Sequence, residues 1–381
     1  MVSRRVSAVS RSETVSLSNK VQELKSKGVK VYNFGIGEPD FTTPKGIIDY
    51  AFGKASEGYT HYTPSLGFPD LRKRIASHYS SRYSEISEKN IIVTPTKFSI
   101  NLAIMSICDE GDEILIPEPY YLSYPDICKI YGVKPVTFPS NEDYSINFEK
   151  LKQMINPRTR GILLSNPSNP TGKLLSESDI RSLCTICEDN HIFFICDQIY
   201  EDLIYKGKLF SPLVVDKDLK YTIILSGFSK SFAMTGWRIG YMVASTEIIA
   251  ASDTFQQQTI TCAPSISQEA AIFALDHFEE SEKMRIEFEK RRSIAIEEIN
   301  KISGIDLIEP DGAFYIFPHY NIDMNSKELC MRILNEKGVS LIPGSVFGSR
   351  GENHFRLSYA ASESDIREGI RKIGEFFREH Q

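Results

Sequence analysis

Residues 221–240 read YTIILSGFSKSFAMTGWRIG. The first six form a short, almost wholly apolar run, the pattern of a strand buried on both faces. The run ends at Ser226, and Lys230 stands four residues later, with Arg238 eight beyond it. Most lysines occupy exposed turns. This one is framed by glycine, serine and other small residues just past a buried strand. A lysine in a partly desolvated site loses its proton more readily and becomes a nucleophile.

Outward from this stretch the same pattern repeats. Between about residues 90 and 245 the runs IIVTPT, DEILIPE, KPVTFP, GILLSNP, IFFICDQ, YTIILSG and IGYMVAS alternate with longer segments, several of helical period. The alternation predicts an α/β fold with a mostly parallel sheet flanked by helices. Several runs end on polar or small residues: Thr94, Asn166, Asp197 and Ser226. In open α/β sheets ligands bind beyond the carboxyl ends of the strands, so these ends predict a common site.

Near residue 270 the character changes. Met284, Phe288, Ala295, Ile299 and Ile302 share one helical face within a highly charged segment. Beyond them IDLIEP, AFYIFP, VSLIPG and HFRLSYA read as strands of a smaller α+β unit, closed by a helix over 364–378. At the other end, residues 13–30 predict a helix ended by Gly28. A chain of 381 residues exceeds the usual single core. The expected organisation is an N-terminal arm with part of the small domain over 1–45, a large domain over 46–280 and a small C-terminal domain over 281–381.

Composition excludes several classes. A net charge of −6 leaves no basic footprint for nucleic acid, and no apolar run is long enough to span a membrane. Cys184 and Cys187 have CxxC spacing, but inside a helical pattern, LLSESDIRSLCTICEDNH. Free thiols in a reducing, cytoplasmic compartment are the better reading, and no metal site is expected. GIG at 35–37 lacks the third glycine of a dinucleotide fingerprint, since Asp40 stands there, and no βαβ unit frames it. The opening MVSRRVSAVSRS is Arg- and Ser-rich without acids, as transit peptides are; helix-compatible sequence follows at once, and an ordinary arm is the expectation.

GFSKSFAMTGWRIG resembles the cofactor-attachment signature of the class I/II aminotransferases, of pyridoxal-phosphate (PLP) fold type I. SNPSNPTG at 165–172, DQIYEDLIY at 197–205, GEPDFTTP, HYTPSLGFPDLR and FRLSYA match the same family in its order. The likeness runs from about Ser12 to the C-terminus and is greatest to the bacterial and archaeal aspartate aminotransferase branch.

The resemblance implies a role for each matching residue. Lys230 bonds to the cofactor aldehyde and, once released, shuttles the substrate Cα proton as general acid/base. Asp197, at a strand end, keeps the cofactor ring nitrogen protonated. Asn169 and Tyr200 hydrogen-bond the phenolate oxygen. Arg238 pairs with the phosphate, to which its fork is suited, with Ser229 as a weaker contact. Thr96 and Lys97 open a helix whose free amides bind phosphate; the family often has glycine where Pro95 stands, and proline has no N–H. Tyr121 stacks on the ring where the branch often has tryptophan. Arg356 grips the substrate α-carboxylate, with Gly37 and Asn169 beside it. Tyr62 matches a tyrosine that reaches the phosphate from a partner subunit, implying a homodimer with shared sites. Gln198 stands where the family usually has glutamate.

The implied activity is ping-pong transfer of an amino group from an L-amino acid, aspartate or glutamate, to a 2-oxo acid such as 2-oxoglutarate. Aromatic, alanine or broad specificity is the alternative, with a PLP-dependent β-lyase behind it. A PLP-binding regulatory protein is a further class, for which the chain leaves no room for a DNA-binding domain.

Overall fold

The seven apolar runs become seven strands of one sheet: β1 Ile91–Thr94, β2 Glu113–Glu118, β3 Lys134–Pro139, β4 Thr159–Ser165, β5 Phe193–Asp197, β6 Thr222–Gly227 and β7 Gly240–Val243. Their order is β1-β7-β6-β5-β4-β2-β3. Only β7 opposes the rest, pairing antiparallel with β1 and β6; the remaining pairs are parallel. This computed structural model describes residues 3–7, 9, 13–83 and 85–380.

The runs are continuously apolar because both faces of the sheet are covered. Phe194 and Cys196 of β5 pack into one core cluster and Ile195 into the other. Alternate residues of β6, Ile224 against Ile223 and Leu225, divide in the same way. Each such aliphatic side chain contributes roughly 1.5–3 kcal/mol when fully buried.

A third cluster lies outside the sheet. The helix Phe278–Ile299 gives it Met284, Phe288, Ala295 and Ile299, the face read from the sequence, and the closing helix Glu363–His380 gives it Ile366, Ile370 and Ile373. The strands here are short. Tyr315–Ile316 pairs antiparallel with Phe355–Ser358, which also holds Ile342–Pro343. Tyr32–Asn33 pairs in parallel with Val339–Ser340, so the N-terminal segment joins the C-terminal unit. Ile199, Tyr200 and Leu203, just past β5, also pack into this cluster, which ties it to the sheet at the strand ends where the predicted site lies.

The N-terminal helix spans Glu13–Ser26 and stops short of residue 30, with Gly28 at φ 79° after it. Much of the opening segment read as an arm or transit peptide (residues 1, 2, 8 and 10–12) lies outside the described residues; Arg4–Ser7 is a single helical turn. Cys184 and Cys187 lie buried on the helix Glu177–Asn190, and all seven cysteines are free. Among the described residues no helix is long and apolar enough to cross a membrane.

Candidate active site

A cavity of about 370 Å³ opens beyond the carboxyl ends of β1, β4, β5 and β6. Lys230 enters it from the turn after β6. That turn is tight: Ala233 and Arg238 adopt left-handed backbone angles, φ 52° and 55°, which non-glycine residues hold only when the surroundings demand it. Gly227 and Gly240, which bound the motif, face each other across β6 and β7. A Cβ on either would strike Thr96 Oγ1. The two glycines therefore let the start of the helix Thr96–Ile107 settle onto the sheet beside the lysine turn, where Thr96 Oγ1 donates to the Ser226 carbonyl at 3.3 Å.

Lys230 Nζ donates to the Gly37 carbonyl at 2.8 Å. Burial lowers its pKa to about 8, opposed by the nearby Glu38 carboxylate and assisted by Arg356. Asp197 is 5% exposed. Its Oδ2 accepts from Tyr124 Oη at 2.9 Å and its Oδ1 from the Ile199 amide at 3.1 Å. Burial nevertheless raises it to about 6, with those two hydrogen bonds and Lys230 pulling the other way. A base and an acid are thus both moved toward neutrality in one cavity, the condition for proton transfer near pH 7.

Tyr200 and Asn169 are buried on the same wall. The Tyr200 hydroxyl lies 2.9 Å from that of Tyr315, and burial lifts its pKa well above the usual phenol value. Asn169 Oδ1 accepts from Arg356 Nη1 at 3.1 Å. Arg356 is only 3% exposed. Its Nη2 donates to the Gly35 carbonyl at 2.9 Å, its guanidinium lies 4.5 Å over the Tyr315 ring, and its Nε has no partner. A buried guanidinium with an unused donor and no carboxylate is a seat for an anion.

Ser229, Thr96, Lys97 and Arg238 also line the cavity. Arg238 Nη1 donates to the Thr235 carbonyl at 2.9 Å. Among the described residues no carboxylate pairs with Arg238 or the Lys97 ammonium, and no group accepts from the Thr96 or Lys97 amides. Tyr121 lies edge-on to Tyr124, ring centroids 5.3 Å apart.

Eleven of the twelve residues singled out in the sequence therefore line one cavity: Lys230, Asp197, Asn169, Tyr200, Arg238, Tyr121, Thr96, Lys97, Ser229, Arg356 and Gly37. Tyr62 does not; it is 89% exposed on the surface of its own chain. The sequence reading missed Tyr124, which holds Asp197, and Tyr315, which touches Tyr200 and underlies Arg356. Tyr124 sat in the tyrosine-rich PEPYYLSYPD, and Tyr315 was hidden in an apolar run read as a strand.

The family described as Aminotransferase class I and II matches residues 29–373. An aspartate aminotransferase of Sulfurisphaera tokodaii is 38% identical, over 93% of this chain and 92% of its own. A (5-formylfuran-3-yl)methyl phosphate transaminase of Methanocaldococcus jannaschii is 39% identical over 99% of both chains. A solved Thermus thermophilus aspartate aminotransferase superposes with a TM-score of 0.93 at 32% identity, covering 98% of this chain and 99% of that one. With that match and this cavity together, the chain belongs to the class I and II aminotransferases, pyridoxal-phosphate-dependent transferases of amino groups.

Proposed function

We propose that the enzyme moves the amino group of L-aspartate or L-glutamate to a 2-oxo acid such as 2-oxoglutarate. The observation that carries the reading is the pairing of a near-neutral, enclosed Lys230 with a buried, carboxylate-free Arg356 in one cavity.

The residues present suit pyridoxal phosphate. Arg238, Ser229 and the unused amides of Thr96 and Lys97 suit a phosphate; Pro95 only starts the helix, so its missing N–H removes nothing the seat needs. Tyr200 and Asn169 suit the phenolate oxygen, Asp197 the ring nitrogen, Tyr121 a ring face and Lys230 the aldehyde. When bound, the cofactor supplies that aldehyde and an electron-withdrawing ring that acidifies the substrate Cα–H.

With the cofactor and an amino acid bound, Lys230 Nζ would be free to take the proton from the substrate Cα and to give it back within the turnover. With a pKa of about 8 it carries and yields protons near neutrality. Asp197 would hold a positive charge on the ring nitrogen in a water-poor pocket. Arg356 would receive the α-carboxylate through its fork, and Asn169, whose Oδ1 accepts from that fork, would have its amide NH2 left to donate to the phenolate oxygen. A second anionic group on the substrate needs a second cation. The uncommitted Lys97 ammonium at the cavity wall supports the dicarboxylic preference, as do the relatives named as aspartate aminotransferases. Ile36 and Leu122 also border the cavity and favour an apolar side chain as the second reading.

The exposed Tyr62 supports a homodimer in which it reaches the phosphate of a neighbouring site. Seven free thiols support a cytoplasmic location. Separate clusters around the sheet and the C-terminal helices support the three-segment organisation with breaks near residues 45 and 280.

The test is the visible absorption of the purified holoenzyme before and after single amino acids, with no oxo acid. Aspartate and glutamate should bleach the cofactor band in the parent enzyme, and Lys230→Ala should abolish turnover. Lys97→Ala should raise KM for aspartate by about 10-fold or more, as for a lost charge-assisted bond, and leave alanine unaffected. Bleaching by tyrosine, phenylalanine or alanine alone would transfer the assignment to the second reading.

A further inference from the structure

We infer that Tyr315 is a positioning residue for the cofactor's phenolate oxygen, acting through the Tyr200 hydroxyl. This rests on Tyr200 facing that oxygen, as above. A phenol has one proton and two acceptor lone pairs. If Tyr200 donates its proton to the cofactor, its 2.9 Å contact with Tyr315 is made with Tyr315 as donor. Among the described residues the Tyr315 hydroxyl has no other hydrogen-bond partner to receive its proton. It is 1% exposed, and Tyr200 is its sole hydrogen-bond partner there.

The hydroxyl is fixed in place from several sides. Tyr315 belongs to the strand Tyr315–Ile316, in register with Ser358 of the strand that carries Arg356. Its ring meets that of Tyr200 edge-on, centroids 5.8 Å apart and planes at 83°. Its oxygen occupies the space that a side chain at position 37 would need: a Cβ on Gly37 would lie 2.8 Å from it. That close approach is a local reason for glycine at 37, beside the carbonyl that receives Lys230. Burial raises the Tyr315 pKa, with the Arg356 guanidinium over its ring and the hydrogen bond to Tyr200 working against that rise, so the hydroxyl stays protonated and able to donate.

A donor behind a donor strengthens the outer bond, because hydrogen bonds in a chain polarise one another. Tyr315 thereby helps Tyr200 hold negative charge on the phenolate oxygen. Charge held there lowers the proton affinity of the nitrogen that Lys230 contributes next to it. Removing the Tyr315 hydroxyl should therefore make that proton harder to lose. Tyr315→Phe keeps the ring under Arg356 and deletes only the donor.

The experiment is a pH titration of the cofactor absorption band in the holoenzyme and in Tyr315→Phe, Tyr200→Phe and the double variant. We expect the midpoint to rise by roughly 0.5 pH unit in Tyr315→Phe, one neutral hydrogen bond's worth. It should rise further in Tyr200→Phe, and no further in the double variant, because Tyr315 then has nothing to act through. A shift in Tyr200→Phe with none in Tyr315→Phe would overturn the inference alone. Additive shifts would also overturn it, since Tyr315 would then act independently of Tyr200. No shift in either single variant would overturn the assignment of Tyr200 to the phenolate oxygen, and the inference with it.

Discussion

Asp197, the last residue of β5, and Glu201, four residues on, are both nearly inaccessible, at 5% and 8% exposure. Burial raises both carboxyls, to about 6 and about 7. Their surroundings differ. Asp197 faces the cavity and accepts from Tyr124 and the Ile199 amide. Glu201 faces the interior, where Oε1 accepts from Ser226 Oγ at 2.6 Å, Tyr79 at 3.0 Å and Tyr241 at 3.4 Å, and Oε2 has no partner. Neighbouring Asp202 adds to its rise and Arg82 only partly offsets it. Burial raises both carboxyls, so burial alone does not set apart the one that faces the cavity. Glu201 takes three hydroxyl donors on one oxygen and lies outside the cavity, whereas Asp197 faces a space that a cationic ring nitrogen can occupy.

The contrast breaks first at the level of activity. Asp197→Ala should lower kcat/KM with the best amino acid about 10³-fold, because it removes the only carboxylate lining the cavity among the described residues. Glu201→Gln, a neutral group of the same shape, should stay within a few-fold. Steady-state kinetics at saturating pyridoxal phosphate decide it. Equal losses at the two positions would mean that both carboxylates serve the reaction.

It sharpens next at the level of stability. A raised carboxyl pKa means the native state keeps a proton that the unfolded chain has already released. Stability therefore falls as pH rises through the interval between the two values. For Glu201 that interval runs from 4.5 to about 7, and at 1.36 kcal/mol per pKa unit the decline is about 3 kcal/mol. In the cofactor-free protein Asp197 contributes a decline of the same sign between 3.8 and about 6. Urea midpoints of that form, measured from pH 5 to 8, should fall less steeply for Glu201→Gln than for the parent. An identical slope would mean that Glu201 titrates alike in the folded and unfolded chain and that Arg82 and the hydroxyl donors fully offset its burial.

What the sequence disclosed follows the same division between local and distant causes. The inner strands were legible because they are apolar over most of their length, and they are apolar because both faces of the sheet are covered there; the edge strand β3, KPVTFP, is only half-buried. Lys230, Asp197 and Asn169 were legible because they follow strand ends within a few residues. The small unit was harder: Tyr315–Ile316 and Ile342–Pro343 are two-residue strands whose pairing is set by packing rather than by pattern. Tyr315 and Tyr124 act on groups 115 and 73 residues away along the chain, a distance no periodicity spans. Glu201 stood in plain view in DQIYEDLIY, yet nothing local distinguishes a buried glutamate from a solvated one. Tyr62 was singled out by resemblance alone, because what it would touch is not in its own chain.

Tyr124 is where the comparison should show its smallest effect. Its hydroxyl is one of two donors that hold Asp197 charged against burial, at 2.9 Å. Tyr124→Phe removes that donor and leaves the ring packed in the core beneath the sheet. The Asp197 pKa should then move up from about 6, since the lost bond favoured the charged form. A carboxyl that protonates more readily is a poorer partner for a protonated ring nitrogen. Affinity for pyridoxal phosphate should fall about 10-fold, the worth of one hydrogen bond to a charged group, and the loss should grow as pH is lowered from 8 toward 6. Fluorescence titration of the cofactor-free protein with pyridoxal phosphate at the two pH values measures it. A uniform loss at both would mean that Tyr124 only shapes the pocket. A loss that grows toward pH 6 would show the tyrosine acting on the charge of Asp197.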